Sequence, residues 1–241
     1  MKCTKWAASR WRGPCLTAAA AFLLSLTSVS LSATPVSGVA NINGTVTVGT
    51  AGVDFFNNVG VPNVFNAAPS TGSYAGLTGG TIDNLTGPTV TGPISIPSFA
   101  TFTVPTGTIF FDLTNIFAGV GTAANCGNNS VGSVCTPTNS PFTLTQTQTG
   151  VTVTLSLSGI AYSGTAATGS SPTGALFTAQ ITVPGTITQV LSQVASNTLP
   201  VQTYSASFTS TPTAVPEPAT FGLIGTALLG VGLLKFRKVR G

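Results

Sequence analysis

The 241-residue sequence contains no histidine and only 12 charged side chains, eight Lys or Arg and four Asp or Glu. That is 5% of the chain, against roughly 25% in an average soluble domain. Without imidazole there is no histidine-based triad, metal site or general base. Tryptophan occurs twice, at Trp6 and Trp11, and no Lys or Arg falls between Gly13 and Leu234. Lys2, Lys5, Arg10 and Arg12 stand at one end, and Lys235, Arg237, Lys238 and Arg240 at the other. Between them lie Asp54, Asp83, Asp112 and Glu217. The sequence pI of about 9.1 therefore describes the two termini, while the body is weakly acidic. A body without clustered cations has nothing with which to neutralise phosphates, so no nucleic-acid partner is expected.

What is abundant is the aliphatic hydroxyl, with 41 Thr and 23 Ser, beside 28 Gly and 16 Pro. Apolar residues still make up 42%, enough to collapse into a core. Surface polarity must come from hydroxyls and amides in place of charge.

Residues 1–33 read as a secretory signal peptide. Four cations precede an uncharged run from Leu16 to Leu26, and small residues follow from Ser28 to Ala33. That run is short for a membrane-spanning helix. Signal peptidase is the implied processing partner, with cleavage favoured before Thr34.

At the other end, Val215-Pro216-Glu217-Pro218-Ala219-Thr220 leads into an uncharged, Gly-rich stretch ending at Leu234, and a basic tail follows. The two prolines hold Glu217 in extended chain. Ala219 to Leu234 is expected to form a C-terminal transmembrane helix of about 24 Å, anchored on the cytoplasmic side by Lys235, Arg237, Lys238 and Arg240. Motif, apolar stretch and basic tail together resemble the PEP-CTERM sorting signal of Gram-negative bacteria, over residues 214–241. The resemblance implies an exosortase substrate in which Pro216, Glu217 and Pro218 are the recognition residues. It also implies export, passage through the inner membrane, and a destination at the cell surface or in an extracellular matrix rich in polysaccharide.

Residues 34–213 read as one β-rich extracellular domain. Val151 to Ser158 alternates apolar and hydroxyl side chains, as does Thr203 to Thr209 with Tyr204, Ala206 and Phe208 on one face; both are half-buried antiparallel strands. Further strands are expected over Gly44–Val48, Ile94–Val104, Thr108–Leu113, Phe142–Gln148 and Gly174–Val183. Pro97 marks an edge or a bulge. Ile187, Val190, Leu191 and Val194 repeat at helical spacing, so Thr186–Ser196 is expected to be a short helix. The expected fold is an antiparallel β-sandwich, jelly-roll or Ig-like. Without lysine to blunt them, its edges must be shielded by loops or be meant to pair.

Cys126 and Cys135 are the cysteines left after signal cleavage, and in an oxidising compartment they are expected to form a disulfide. Asp54, Asp83 and Asp112 are the carboxylates that hydrolytic chemistry would require. Asp83-Asn84 and Asp112 with Asn115 are possible calcium ligands. Their spacing matches no catalytic or metal motif, so no enzyme activity, metal or cofactor is expected. The expected function is that of an exported structural protein associated with biofilm or exopolysaccharide. The alternative is a carbohydrate-binding module with polysaccharide as partner, weakened because both tryptophans fall in the signal peptide and the body keeps only Tyr74, Tyr162 and Tyr204 beside its Phe residues.

Overall fold

Alternation of apolar and hydroxyl residues produces strands along most of the body. The structure is a computed structural model that describes residues 35–86, 91–164, 169–182 and 185–212. In chain order the elements are β1 (Gly38–Gly49), β2 (Gly52–Phe56), β3 (Val64–Ala68), β4 (Gly79–Ile82), β5 (Leu85–Thr86), β6 (Gly92–Val104), β7 (Gly107–Ile116), β8 (Val134–Cys135), β9 (Thr143–Gln146), β10 (Val151–Ser163), β11 (Ser171–Ile181), α1 (Ile187–Ala195) and β12 (Gln202–Ser210). The expected helix is present, with Thr186 as its N-cap and Ser196 as its C-cap.

The strands do not form a sandwich. Their order is β11-β12-β1-β3-β4-β6-β7-β10, and β10 pairs again with β11, from Val151↔Ile181 to Ala161↔Ser171. Eight antiparallel strands thus close into a barrel. Alternation marks which face of a strand is buried. It does not say whether that face meets a second sheet or the far side of the same one. Within the eight-strand ring closure answers the edge problem differently from either expectation, because a closed ring has no edges. Among the described residues the outermost strands are β5 and β8, of two residues each.

Two devices supply the curvature that closure needs. The β7–β10 register shifts between Ser158 and Gly159. There Gly159 lies so close to the Asp112 carbonyl and the Phe111 ring that a Cβ would clash with both. The β6–β7 register shifts twice, between Pro93 and Ile96 and between Ile96 and Ala100. Pro97 therefore sits at a bulge, beside Ser98, whose φ of 53° is unusual for a residue with a side chain.

The barrel is asymmetric along its axis. At one end β1 begins, β12 ends, and the β3–β4, β6–β7 and β10–β11 connections turn back; we call this the closed rim. At the other end the sheet flares. There β1 turns from β3 to pair with β2, and β10 turns from β7 to pair with β9. Helix α1 covers this flared end, burying Ile187 and Val190 against Leu144, Val151 and Ile181.

The interior is filled by aromatic rings. Phe208 packs edge-on against Phe102, Phe111 and Phe177, with centroids 5.0, 5.2 and 5.6 Å away. Phe55 reaches Tyr204 at 5.4 Å and Phe99 at 6.4 Å. Edge-to-face geometry sets each ring's positive rim against a negative face and adds about 0.5–1.5 kcal/mol per pair beyond area burial.

No helix among the described residues is long and apolar enough to cross a membrane. The transmembrane helix expected over residues 219–234, the signal peptide at 1–33 and the boundaries at 33/34 and 213/214 all lie outside the described residues.

Candidate functional site

The three aspartates of the body end up in different surroundings. Asp54 is exposed on β2, opposite Thr47 of β1. Asp83 is exposed just after β4, its N–H donating to the Phe99 carbonyl. Asp112 lies half-buried in β7 and is engaged structurally. Its Oδ1 accepts from the Ser98 N–H at 2.6 Å and from the Tyr162 hydroxyl at 3.1 Å. The carboxylate therefore holds the Ser98 bulge in place, as a charged acceptor can do strongly in the absence of any cation. Of the proposed calcium ligands, Asn84 is occupied in accepting from the Phe55 N–H at 2.9 Å. Among the described residues no group of three or more Cys, Asp or Glu gathers in a way that would hold a metal ion.

Above Asp112, Tyr162 stacks on Phe110 at 5.5 Å and 21°. Burial, and then the hydrogen bond to Asp112, raise its phenol pKa. The other two tyrosines point into the barrel. Near the closed rim the Tyr74 hydroxyl meets Ser210 Oγ at 2.7 Å, Ser210 Oγ meets Thr173 Oγ1 at 2.7 Å, and Thr173 donates to the Ser171 carbonyl at 3.1 Å. Burial pushes the Tyr74 phenol up to about 12, against the opposing effect of Ser210. Tyr204 is buried with no partner for its hydroxyl among the described residues, and burial alone raises its pKa.

Cys126 and Cys135 are bonded, with Sγ–Sγ 2.08 Å and Cα–Cα 5.0 Å. The loop they close is one of three attachments that hold α1 over the flared end. From this loop Asn129 accepts from the Thr188 N–H at 3.2 Å and donates to Thr188 Oγ1 at 3.1 Å. From β9 the buried Gln146 accepts from the Ile187 N–H at 3.0 Å and donates towards the carbonyls of Gly185 at 2.8 Å and Gly150 at 3.1 Å. Two of the helix's unpaired N-terminal amides are thereby satisfied. At its C-terminus the Asn197 N–H bonds the Val194 carbonyl, and the Thr198 N–H bonds that of Gln193. This is the pattern of a Schellman cap, with Asn197 at φ 53°. Asn197 Oδ1 in turn accepts from the Thr50 N–H at 2.9 Å, tying the helix to the β1–β2 turn.

None of Gln146, Ser210 or Thr173 was identifiable as important from residue type. The available signal was position. Gln146 continues the inward row of Leu144, Thr173 precedes Ala175 and Phe177 in β11, and Ser210 follows Phe208 in β12. A polar residue at a core position of an alternating strand must find a partner.

The voids inside are small. One of about 40 Å³ lies beside Tyr204, Phe55 and Phe177, and another of about 60 Å³ lies beneath α1. Both fall well short of a ligand pocket, typically about 300 Å³ or more. A larger cleft of about 460 Å³ opens at the closed rim, between Val36, Gly72, Ser73, Pro105, Thr106 and Ser163. Among the described residues, then, the geometry offers a filled barrel, a fastened plug, a cleft of about 170 Å³ at the flared end beside Val48, Asn139 and Val194, and the larger cleft at the rim.

The sequence-predicted sorting residues Pro216, Glu217 and Pro218, and the anchor residues Lys235, Arg237, Lys238 and Arg240, lie outside the described residues. No curated protein and no solved structure matches the chain. The family model of the PEP-CTERM protein-sorting motif matches residues 214–238. That match spans Pro216-Glu217-Pro218 and the apolar stretch, and reaches into the basic tail as far as Lys238. At its C-terminal end the chain thus carries a PEP-CTERM protein-sorting motif, which makes it an exported protein sorted by an exosortase.

Proposed function

We propose that the barrel is a structural, non-catalytic component of the extracellular matrix or cell surface, delivered there by exosortase processing at its C-terminal motif. The motif at residues 214–238 is the observation that carries this reading. The body supports it in three ways. Its interior is occupied by rings, its carboxylates are dispersed or engaged structurally, and closure keeps its strands from uncontrolled pairing. Recognition by Pro216, Glu217 and Pro218 is part of the proposal.

The test is Glu217→Ala in the full chain. Removal of both termini converts a precursor of formal charge +4 into a body whose charged side chains are Asp54, Asp83 and Asp112. Isoelectric focusing then separates the two: the parent yields a form focusing at acidic pH, and the variant is exported but stays basic at its C-terminal end. Equal processing of both would reduce the Pro-Glu-Pro string to a linker.

A second reading, a carbohydrate-binding module, is favoured by the stacked Phe110–Tyr162 pair beside Asp112 on the outer face. The half-buried Phe110 would have to present the stacking face, since Tyr162 is only 9% exposed and its hydroxyl is bonded to Asp112. Retention of the purified body on the producer's own polysaccharide would select this reading, and self-association without retention would select the structural one.

A further inference from the structure

The paired residues Gly38↔Ser210 are the first of β1 and the last of β12. The chain therefore enters and leaves the barrel side by side, at the closed rim. Both strand ends are fastened there. Val36, just before β1, is buried. Ser210 belongs to the buried Tyr74–Ser210–Thr173 chain of hydroxyls, and the Thr211 N–H donates to the Pro172 carbonyl at 3.1 Å. The barrel thus holds its sequence up to Thr211, and Pro216 is five residues further on. Five residues span at most about 18 Å even when fully extended. An enzyme that reads Pro216, Glu217 and Pro218 must work within that distance of the rim.

The rim is suited to close approach. The residues that line its cleft, among them Val36, Gly72, Ser73, Pro105, Thr106 and Ser163, carry no charge. Desolvating hydroxyl and apolar groups costs far less than desolvating ions. Of the carboxylates, Asp54 pairs with Thr47 in the flared half of β1, while Asp112 pairs with Ile160, the partner of Pro172, outside the cleft lining. The flared end, with α1 and the disulfide loop, lies at the opposite pole and has no part in the tether.

We propose that the closed rim is the face this protein presents to the membrane-held exosortase, and that the short tether from Thr211 forces rim and enzyme together during processing. The proposal rests on the sorting reading above and adds to it a surface and a length requirement. It predicts that bulk on the rim obstructs cleavage, that equal bulk at the far pole does not, and that a longer tether removes the obstruction.

The experiment uses the full-length precursor in detergent with Cys3→Ser and Cys15→Ser, so that no free thiol remains beside the Cys126–Cys135 disulfide. Thr106→Cys places one exposed thiol on the β6–β7 turn at the rim, and Ala51→Cys places one on the β1–β2 turn at the flared end. Each is labelled with a bulky polyethylene-glycol maleimide, and cleavage by exosortase is followed on gels. The label at Thr106→Cys is expected to slow cleavage by about tenfold or more, and the label at Ala51→Cys to leave it within about twofold. A flexible Gly-Ser insertion after Pro212 is expected to restore the rate of the rim-labelled protein. Equal rates for the two labelled proteins, or failure of the insertion to restore cleavage, would overturn the proposal while leaving the sorting reading intact. An unlabelled precursor that is not cut at all would remove both.

Discussion

The two ends of the barrel solve the same problem, closing a hydrophobic interior from water, by different means. The closed rim uses the two-residue β6–β7 turn and a row of hydroxyls, in which Tyr74, Ser210 and Thr173 satisfy one another where the alternating rows of β11 and β12 run out. The flared end uses a separate element. Helix α1 contributes a small apolar stripe, and side chains from three places hold it down: Gln146 and Asn129 at its N-terminus and Asn197 at its C-terminus. The rim is therefore continuous with the barrel, while the plug is attached to it. Stability of the first kind is lost only with the whole fold; that of the second can be lost locally.

The most damaging single change is expected in the interior that both ends share. Phe208→Ala removes the ring at the centre of the aromatic cluster and should cost about 3–5 kcal/mol. Urea unfolding should show a lower midpoint, with both ends melting together. If the rim and plug report separate transitions, the barrel is less of a unit than its packing implies.

Gln146→Leu separates the two ends. It leaves the Ile187 N–H and the Gly185 carbonyl without their partner, at a cost of about 2–3 kcal/mol. Hydrogen exchange should accelerate in α1 and leave the amides of Tyr74 and Ser210 protected. Uniform acceleration would mean that the plug and the rim are one cooperative unit.

Alkaline pH acts on the buried phenols. Tyr74 has its pKa raised to about 12 by burial, from an ordinary value of 10.0. A raised phenol pKa means that the fold favours the neutral form. Its contribution is fully present below about pH 10 and is lost as pH rises through 12, about 2–3 kcal/mol at most. The melting temperature should therefore fall between those values. The corresponding Phe variants sharpen the contrast at the smallest scale. Tyr74→Phe deprives Ser210 of one partner and should cost about 1 kcal/mol. Tyr204→Phe removes a hydroxyl that has no partner and should be neutral or stabilising by up to about 1 kcal/mol. Equal losses for the two variants would show that Tyr204 has a partner, such as an ordered water.

Much of the local structure was legible. Val151 to Ser158 alternates strictly and forms the first part of β10, and Thr203 to Thr209 falls within β12. The helical spacing of Ile187, Val190, Leu191 and Val194 located α1 to within a residue at each end. The strands that escaped notice, β2, β3, β4, β5 and β8, are short, with two to five residues each, too few for alternation to stand out. In β3, Val64-Phe-Asn-Ala-Ala68 has no clean alternation, and β5 and β8 have two residues each. Of the candidate carboxylates, residue type marked all three alike. Only the pairing of β6 with β7 brings Ser98 within reach of Asp112 and gives that one residue a structural task.

By itself the sequence determined what depends on covalent order: the weakly acidic body without cations between two basic ends, the Pro216-Glu217-Pro218 string before an apolar stretch, and two cysteines spaced nine residues apart in the body. These hold whatever the fold. Tertiary structure alone decided that the sheet closes. That depends on residues 38–46 finding residues 202–210, and on bulges near Ser98 and Gly159 that bend β6 and β10 enough for the two to meet. Strand alternation is a local property with a period of two, identical in a sandwich and a barrel. Closure is a sum of twists and register shifts over the whole sheet, and no segment carries that sum in its own residues.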